Sequence, residues 1–407
     1  MSKPMKWLCA TAALSLIAIT AGVGTTSAQS TFKIGISAAA TGPASPNYSP
    51  NIEGLRTYVR ALNDRGGING SKVELIVLDD KASPSEAASN AKRLMDDEQV
   101  LAVGLMSLSS TYAPMFQAAT RTKTPVLLLG MGVCPATATG PQMNPFVFCS
   151  GSTSDPNTAA AWQVPLVKAL AEKNKDKVKL ALVAMDIPIS RQGIDTMEKI
   201  AATIGVEVAD KQAIPPAAAD VSGAAARIIS KDANYATSYA PVSTTVQMLG
   251  ALRRQGWNGW YVHNHSSDAE DTVRQLKDPK LVMSPEYAFT VEKLPIFDQI
   301  GAAAKKYDVN LPVDKLTLGW ASGMVLEAAL KKCGAGCTRE KLLDSLLGLN
   351  VQTGGIFPDP INWTKDDHRR PASFVAYAWD EKSQSVKRIT EWAKFKDGEP
   401  VVAKMAN

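Results

Sequence analysis

"FKIGISAAATGPASPNYSPNIEGLRTYVRALNDRGGINGSKVELIVLDD", residues 32–80, places two apolar strand segments on either side of one amphipathic helix. The first strand ends in turn-rich residues, and apolar side chains then recur at helical spacing over residues 52–62. We expect Ser49 to cap this helix, Pro50 to lie in its first turn, and the glycine pair at 66–67 to end it. A strand, a helix and a second strand in this order are the unit from which a parallel sheet is built.

The same alternation continues toward the C-terminus. A helix with a capping box at residues 83–86 follows, then the strand VLAVGLM, a third helix and the strand TPVLLLG. The pattern restarts after Ser150 with the strands KVKLALVAMD, VEVADKQAI, NYATSYA and GWYVHN, each separated from the next by a helix. Apolar strands without strict alternation are typical of parallel sheets that helices cover on both faces. We therefore predict an α/β fold of two similar Rossmann-like lobes with parallel sheets.

The first residues have the pattern of a secretory signal peptide. Lys3 and Lys6 precede an apolar stretch at residues 8–23, and small residues then lead to Ala28. We predict that residues 1–28 form a leader cleaved near Ala28 and that the remaining chain is exported to the periplasm. The leader holds two lysines and no acid, so its removal takes the formal charge from +5 to +3. Because the basic residues are spread along the chain, this charge excludes nucleic acid as an expected partner.

The cysteines beyond the leader are even in number, which favours disulfides in an oxidising compartment. The simplest pairing is local, Cys134 with Cys149 and Cys333 with Cys337. A metal site is the alternative interpretation of the segment CGAGC that ends at Cys337. The three histidines of the chain do not stand at zinc-like spacing from the cysteines, so we expect no metal.

No nucleotide-binding motif is complete in this sequence. LGMGVCP begins like a dinucleotide fingerprint with Gly130 and Gly132, but the third glycine is missing and Pro135 stands where the helix should run. A phosphate-binding loop of the G-x-x-x-x-G-K type is also missing. We therefore expect no cofactor.

A cluster of hydroxyl side chains follows the third strand, in LMSLSSTYAPMF at residues 105–116. Ligands of parallel sheets bind beyond the carboxyl ends of the strands, so this cluster is a candidate cradle for an anionic group. Capping of the next helix by Ser109 or Ser110 is the equally weighted alternative. A nucleophilic serine needs a poised base, and the G-x-S-x-G elbow is missing, so we do not expect an enzyme.

A second set of candidates comes from the strand ends of the second lobe and from aromatic residues. His265 lies in HNHSSD after the last strand of that lobe, where a histidine can hydrogen-bond a carboxylate; a surface loop is the alternative. Tyr48, Tyr239 and Trp320 are the aromatic candidates. Each aromatic residue, taken by itself, is more often part of a core than of a site.

The order of these motifs resembles the periplasmic leucine/isoleucine/valine-binding family, the substrate-binding components of ABC importers. The likeness rests on residues 32–97, with N-x-x-GGI-x-G and DD-x-x-x-P-x-x-A, and on VGLMSLSSTYAP. It implies two lobes joined by a three-crossover hinge that closes around a small solute without catalysis. It implies a first lobe at residues 31–150 and 288–365 and a second at 151–287 and 366–407. The implied partner is an ABC permease in the inner membrane, and we expect a monomer.

The resemblance also implies a ligand site. Tyr48 matches the family's tyrosine after TGP. Ser109, Ser110 and Thr111, the serine turn, match the turn that holds the ligand carboxylate in that family. Leu108 stands where a carboxylate-binding serine is usual, and His265 falls near the acid that pairs with the ligand ammonium. The full set of expected ligand contacts is Tyr48, Leu108, Ser109, Ser110, Thr111, Gly132, Val133, Cys134, Ser190, Tyr239, His265 and Trp320.

These departures from the family pattern predict the class of ligand. A buried ammonium needs an acceptor, because an uncompensated charge in a closed cleft is costly. Histidine in place of the acid favours a carboxylate without an amine, such as an aromatic or alicyclic acid stacked on Tyr48 or Trp320. A branched-chain amino acid, or a sensing component of the same fold, is the alternative.

Overall fold

The computed structural model describes residues 1–2, 31–130, 133–150, 156–216, 218–263, 269–395 and 401–406. Residues 3–28 of the expected leader lie outside this set. Within the described ranges, every helix is too short or too polar to span a bilayer.

Strands and helices alternate through most of the chain, as the sequence predicts. The strands are β1 Thr31–Ala38, β2 Lys72–Asp79, β3 Ala102–Met106, β4 Val126–Leu128, β5 Val147–Cys149, β6 Lys179–Met185, β7 Glu207–Ile214, β8 Tyr235–Tyr239, β9 Trp260–His263, β10 Leu281–Met283, β11 Asn350–Val351, β12 Ile361–Asn362, β13 Ser373–Phe374, β14 Tyr377–Asp380, β15 Ser385–Arg388 and β16 Ala393–Lys394. The α-helices are α1 Ser45–Asp64, α2 Pro84–Lys92, α3 Tyr112–Thr122, α4 Pro156–Asn174, α5 Pro188–Thr203, α6 Ser222–Ser230, α7 Val242–Arg254, α8 Ala269–Leu276, α9 Pro295–Lys306, α10 Val313–Cys333 and α11 Arg339–Leu346.

The first sheet has the strand order β2-β1-β3-β4-β5, and each neighbouring pair is parallel. All five residues of β3 are buried, because helices cover both faces of this central strand. One face packs against α1 and α10, and the other packs against α2 and α3. The prediction of a parallel sheet between helical layers is confirmed for this lobe.

The second sheet has the order β15-β14-β10-β9-β8-β6-β7. Its five strands from β10 to β7 are parallel, with α4 and α5 on one face and α6, α7 and α8 on the other. The hairpin β14–β15 adds an antiparallel edge to this otherwise parallel sheet. The short connection between β14 and β15 permits only antiparallel pairing, because a parallel pair needs a long crossover.

Helix α1 begins earlier than the sequence predicts. It starts at Ser45, where Pro46 occupies the first turn, so Pro50 lies inside the helix and Ser49 does not cap it. Proline is favoured at the start of a helix because its missing N–H has no partner to lose there. The earlier start makes Tyr48 a helical residue instead of a loop residue.

Helices α1 and α10 approach each other at backbone distance. A Cβ added at Gly319 would lie 2.0 Å from the carbonyl oxygen of Asn51, and one added at Gly54 would lie 2.3 Å from that of Leu316. Glycine is therefore required at both positions to allow this contact. The contact fixes the position of α1, and hence of the residues in its first turn.

The chain passes between the two sheets three times, after β5, after β10 and after β12, since α9, α10 and α11 return to the layer formed by α1. The three-crossover fold is confirmed. The lobe boundaries at residues 150, 287 and 365 stay a prediction. Glu286 from the second passage and Arg370 from the third form an ion pair at 2.5 Å, with 1% of each side chain exposed. This pair fastens two of the three connections to each other.

Candidate ligand-binding cleft

The predicted site residues lie at the carboxyl ends of parallel strands in both sheets. Tyr48 follows β1, the serine turn follows β3, and Val133 follows β4. Ser190 follows β6 and Tyr239 is the last residue of β8. Because loops at this edge of an open parallel sheet are the usual ligand site, the two edges define the candidate cleft.

Three buried tyrosines from the two lobes converge at this place. Tyr48 of α1, Tyr112 of α3 and Tyr239 of β8 are each 6% exposed. Burial raises the pKa of the Tyr112 hydroxyl well above its usual value, and the electrostatic influence of Tyr48 and Tyr239 raises it further. The Tyr48 and Tyr239 hydroxyls therefore each lie within electrostatic range of the Tyr112 hydroxyl. This tyrosine cluster shows where the strand ends of the two sheets face each other.

The second lobe holds Tyr239 against helix α5. A Cβ added at Gly193 would lie 2.6 Å from Cγ of the Tyr239 ring, so the ring rests on the bare backbone of that glycine. Ser190 is buried one helical turn before Gly193 on the same helix. Because residues three apart share a helix face, Ser190 lies on the face of α5 that meets Tyr239.

The serine turn does not cap helix α3. Ser109–Thr111 form a single 3-10 turn, and neither this turn nor α3 has a side-chain hydrogen bond at its N-terminus. Ser110 Oγ instead donates to the carbonyl oxygen of Ala82 at 3.3 Å, and Thr111 Oγ1 donates to that of Leu108 at 2.8 Å. The capping alternative is therefore wrong. Ser109 and Ser110 are exposed at the rim, and Leu108 beside them is 41% exposed.

A disulfide anchors the loop that follows β4. Cys134 is bonded to Cys149 of β5, so its sulfur is part of a disulfide and carries no thiol hydrogen to donate. The backbone of Val133 hydrogen-bonds the Tyr112 hydroxyl, which lowers the pKa of that hydroxyl and opposes the larger effect of burial. Gly132 lies outside the described residues. Both predicted disulfides are confirmed, since Cys333 is bonded to Cys337 as well.

Trp320 lies in the contact between α10 and α1. Its ring meets Tyr58 edge-on, with 4.9 Å between the centroids, and Tyr58 donates a hydrogen bond to Glu327. Tyr58 is ten residues beyond Tyr48 on α1, a distance of about 15 Å along the helix. The structure therefore places Trp320 among packing residues and does not bring it to the tyrosine cluster.

The histidine at the end of β9 is fully buried. Nδ1 of His263 lies 2.7 Å from Thr245 Oγ1 and 3.0 Å from Ser238 Oγ, which join β9 to α7 and β8. The His263 ring is therefore used inside the lobe. His265 lies outside the described residues, and its ligand contact stays a prediction.

Residues 31–384 match the family model described as periplasmic binding protein. The chain belongs to the periplasmic binding protein family. A curated relative of this binding protein is the Leu/Ile/Val-binding protein homolog 3 of Brucella melitensis, which is 35% identical over 95 residues, 23% of this chain. The chain spans 26% of that relative and 22% of a second curated relative.

Solved structures of low sequence identity share the fold of this binding protein. A branched-chain amino acid ABC transporter protein from Thermus thermophilus with bound valine has a TM-score of 0.72 at 17% identity, covering 91% of this chain and 97% of its own. A solute-binding protein from Rhodopseudomonas palustris in complex with 3,4-dihydroxybenzoic acid has a TM-score of 0.70 at 17% identity, covering 92% and 96%. The two-lobed α/β fold is thus shown over nearly the whole chain.

One residue of the cleft was not predicted from the sequence of this binding protein. Tyr112 directly follows the serine turn and begins α3, so a search of the first helical position after β3 would have found it. The structure brings it together with Tyr48, Val133 and Tyr239. Ligand contacts by the predicted residues remain a prediction.

Proposed function

We propose that this chain is the extracytoplasmic substrate-binding component of an ABC importer. In this role it captures a small carboxylate between its two lobes, delivers it to a permease in the inner membrane, and carries out no reaction on it. Membership in the periplasmic binding protein family supports the role. It acts as a monomer in the periplasm after removal of the leader.

The tyrosine cluster is the observation that carries this proposal. Tyr48 and Tyr112 come from the first lobe and Tyr239 from the second, so a ligand held among them touches both lobes. A ligand that makes contacts with both lobes only in the closed state shifts the equilibrium toward that state, by the binding free energy of those extra contacts. Hinge closure around the solute follows from this placement.

An acid without an amine is the proposed ligand class. Tyrosine rings offer flat apolar surface, and their hydroxyls and the serine turn offer hydrogen-bond donors to a carboxylate. Asp80, a buried carboxylate at this edge of the first sheet, already accepts hydrogen bonds from Ser37, Ser107 and the Ala82 backbone, so it is not free to hold an ammonium. A fold neighbour that binds 3,4-dihydroxybenzoic acid supports the same class.

Thermal unfolding with two probes tests the proposal. We expect 3,4-dihydroxybenzoic acid to raise the melting temperature more than L-valine or L-leucine does, because a ligand of the folded state at 100 times its Kd stabilises by about 2.7 kcal/mol. Mass spectrometry should recover the acid unchanged after incubation. Stronger stabilisation by either amino acid would reject the amine-free class and favour branched-chain amino acid binding, which the name of the Brucella relative indicates. A changed mass would reject the role without catalysis.

A further inference from the structure

Asp80 is a fully buried carboxylate at the carboxyl end of β2. Its neighbour Asp79 is the last residue of that strand and accepts from the backbone N–H groups of Ala40 and Lys81 at the protein surface. Asp80 points into the protein instead. Taking a carboxylate out of water is costly, so a buried one needs several donors around it.

Donors from three different strand ends surround the Asp80 carboxylate. Ser37 of β1 donates to Oδ2 at 2.9 Å, and Ser107, directly after β3, donates to Oδ1 at 2.6 Å. The backbone N–H of Ala82 donates to Oδ1 at 2.9 Å. Asn90 of α2 continues the network with a hydrogen bond to Ser37 Oγ at 3.2 Å. One carboxylate therefore joins the carboxyl ends of β1, β2 and β3.

Two routes lead from Asp80 to the serine turn. Ser107 is the residue at which the chain leaves β3 and enters the turn, and its side chain is held by Asp80 directly. The loop residue Ala82 receives a hydrogen bond from Ser110 at its carbonyl and gives one to Asp80 from its N–H. The position of the turn is thus set at both of its ends.

Asp80 also acts on the first tyrosine of the cluster. After burial, the negative charge of Asp80 is the next cause that raises the pKa of the Tyr48 hydroxyl. The pKa of Asp80 itself is raised by burial, while the hydrogen bonds from Ser107, Ala82 and Ser37 oppose that rise. The Asp80 carboxylate therefore lies close to both Tyr48 and the serine turn, the first-lobe parts of the candidate cleft.

We propose that Asp80 is a positioning residue that holds the serine turn and the β1 end in the geometry needed for ligand binding. The assignment deepens the proposed function and rests on it for the ligand, although the positioning itself is a property of the free protein. Hydrogen bonds to a charged acceptor are shorter and stronger than neutral ones, which suits a fixed turn. A purely structural role would lower the stability of the whole lobe without a preference for the turn.

Hydrogen–deuterium exchange on the full ligand-free chain tests the positioning. In Asp80→Ala we expect amide exchange in residues 105–116, the segment that contains the serine turn, to accelerate about tenfold or more, as for the loss of a hydrogen bond to a charged group. Asp80→Asn should recover most of the protection, because its remaining oxygen accepts from Ser107 and Ala82. Ser107→Ala removes only the hydrogen bond from Ser107 to Asp80. It is the variant to measure if Asp80→Ala does not fold.

The matched control is Asp210→Ala, which removes a buried carboxylate of β7 that accepts from Arg227 and Gln212 in the second lobe. It should leave exchange in residues 105–116 unchanged. Equal acceleration in the turn and in the helix Val313–Cys333, or an unaffected turn in Asp80→Ala, would overturn the proposal. So would an Asp80→Asn variant as unprotected as Asp80→Ala.

Calorimetric titration with 3,4-dihydroxybenzoic acid and L-valine adds the binding test. For the probe that binds, Asp80→Ala and Ser107→Ala should each raise Kd at least about tenfold, and the double variant should do little more than Asp80→Ala alone. Fully additive effects would contradict positioning through Ser107. If neither probe binds the native protein, the proposed ligand classes fail, while the exchange experiment still decides the role of Asp80.

Discussion

Tyr112 begins α3, but contacts outside its own helix place its hydroxyl. Val133 from the loop after β4 hydrogen-bonds it, and the hydroxyls of Tyr48 on α1 and Tyr239 on β8 lie within electrostatic range of it. A buried hydroxyl is useful when it has a partner and costly when it lacks one. Tyr112 is therefore the residue at which the two lobes and the disulfide-anchored loop meet.

Removing this hydroxyl should affect both stability and binding. We expect Tyr112→Phe to lower the free energy of unfolding by about 1–3 kcal/mol, because the backbone of Val133 loses its partner inside the protein. Ligand affinity should fall as well. Urea unfolding and calorimetric titration measure the two effects.

Tyr58→Phe is the control for this substitution, since Tyr58 is also buried in the first lobe but hydrogen-bonds Glu327 away from the cluster. It should lower stability and leave affinity unchanged. Equal loss of affinity in both variants would contradict the placement of the cleft.

At the scale of elements, the backbone contact between α1 and α10 decides where the first-lobe side of the cleft lies. Glycines at 54 and 319 let the two helices touch, and α1 then carries Tyr48 to the end of β1. The position of α1 thus depends on the missing side chains of these glycines as well as on its apolar residues.

Two glycine-to-alanine substitutions should change the stability of the protein in opposite directions. Gly319→Ala places a methyl group 2.0 Å from the Asn51 carbonyl oxygen and should destabilise by about 1–3 kcal/mol or more. Gly301→Ala in α9 meets only Val313 at 3.5 Å and should stabilise by up to about 1 kcal/mol through helix propensity. Thermal and urea unfolding measure both. A neutral Gly319→Ala would show that the helices are further apart than described.

At the scale of the whole molecule, a buried ion pair ties two of the chain's passages between the sheets. Arg370 also lies over the Phe357 ring, with its guanidinium carbon 4.0 Å from the centroid. Desolvation lowers the pKa of Arg370, and the attraction of Glu286 opposes that change. Two charges so deeply buried are tolerable only as a pair.

Replacing one partner of this ion pair should lower the free energy of unfolding more than replacing both partners does. We expect Glu286→Gln to lower the free energy of unfolding by about 3–5 kcal/mol, because the buried guanidinium of Arg370 loses the carboxylate of Glu286. The double variant Glu286→Gln/Arg370→Met should recover part of that loss. Chemical denaturation followed by tryptophan fluorescence measures both variants. A double variant less stable than Glu286→Gln would show that Arg370 stabilises the protein through contacts other than the one with Glu286.

The sequence by itself determined the elements, the family and the local disulfides. Hydrophobic periodicity and turn residues depend on near neighbours, so the strands and helices of both lobes could be predicted from short windows. The start of α1 was missed because Pro46 and Pro50 both fit a first turn, and only the packed helix selects one. The local pairings Cys134–Cys149 and Cys333–Cys337 join cysteines close in sequence, and the structure confirms them.

Only the tertiary structure decided which side chains share the site. Tyr48, Tyr112 and Tyr239 come from elements far apart in sequence. The sequence proposed Trp320 together with Tyr48 and Tyr239, and only the packing of α10 on α1 separates Trp320, which contacts Tyr58, from the cluster. Asp80 was hidden for the same reason: its role depends on Ser37 and Ser107, which the parallel order β2-β1-β3 brings to one edge. Sheet order is set by long-range pairing and burial, and a sequence window does not contain those contacts.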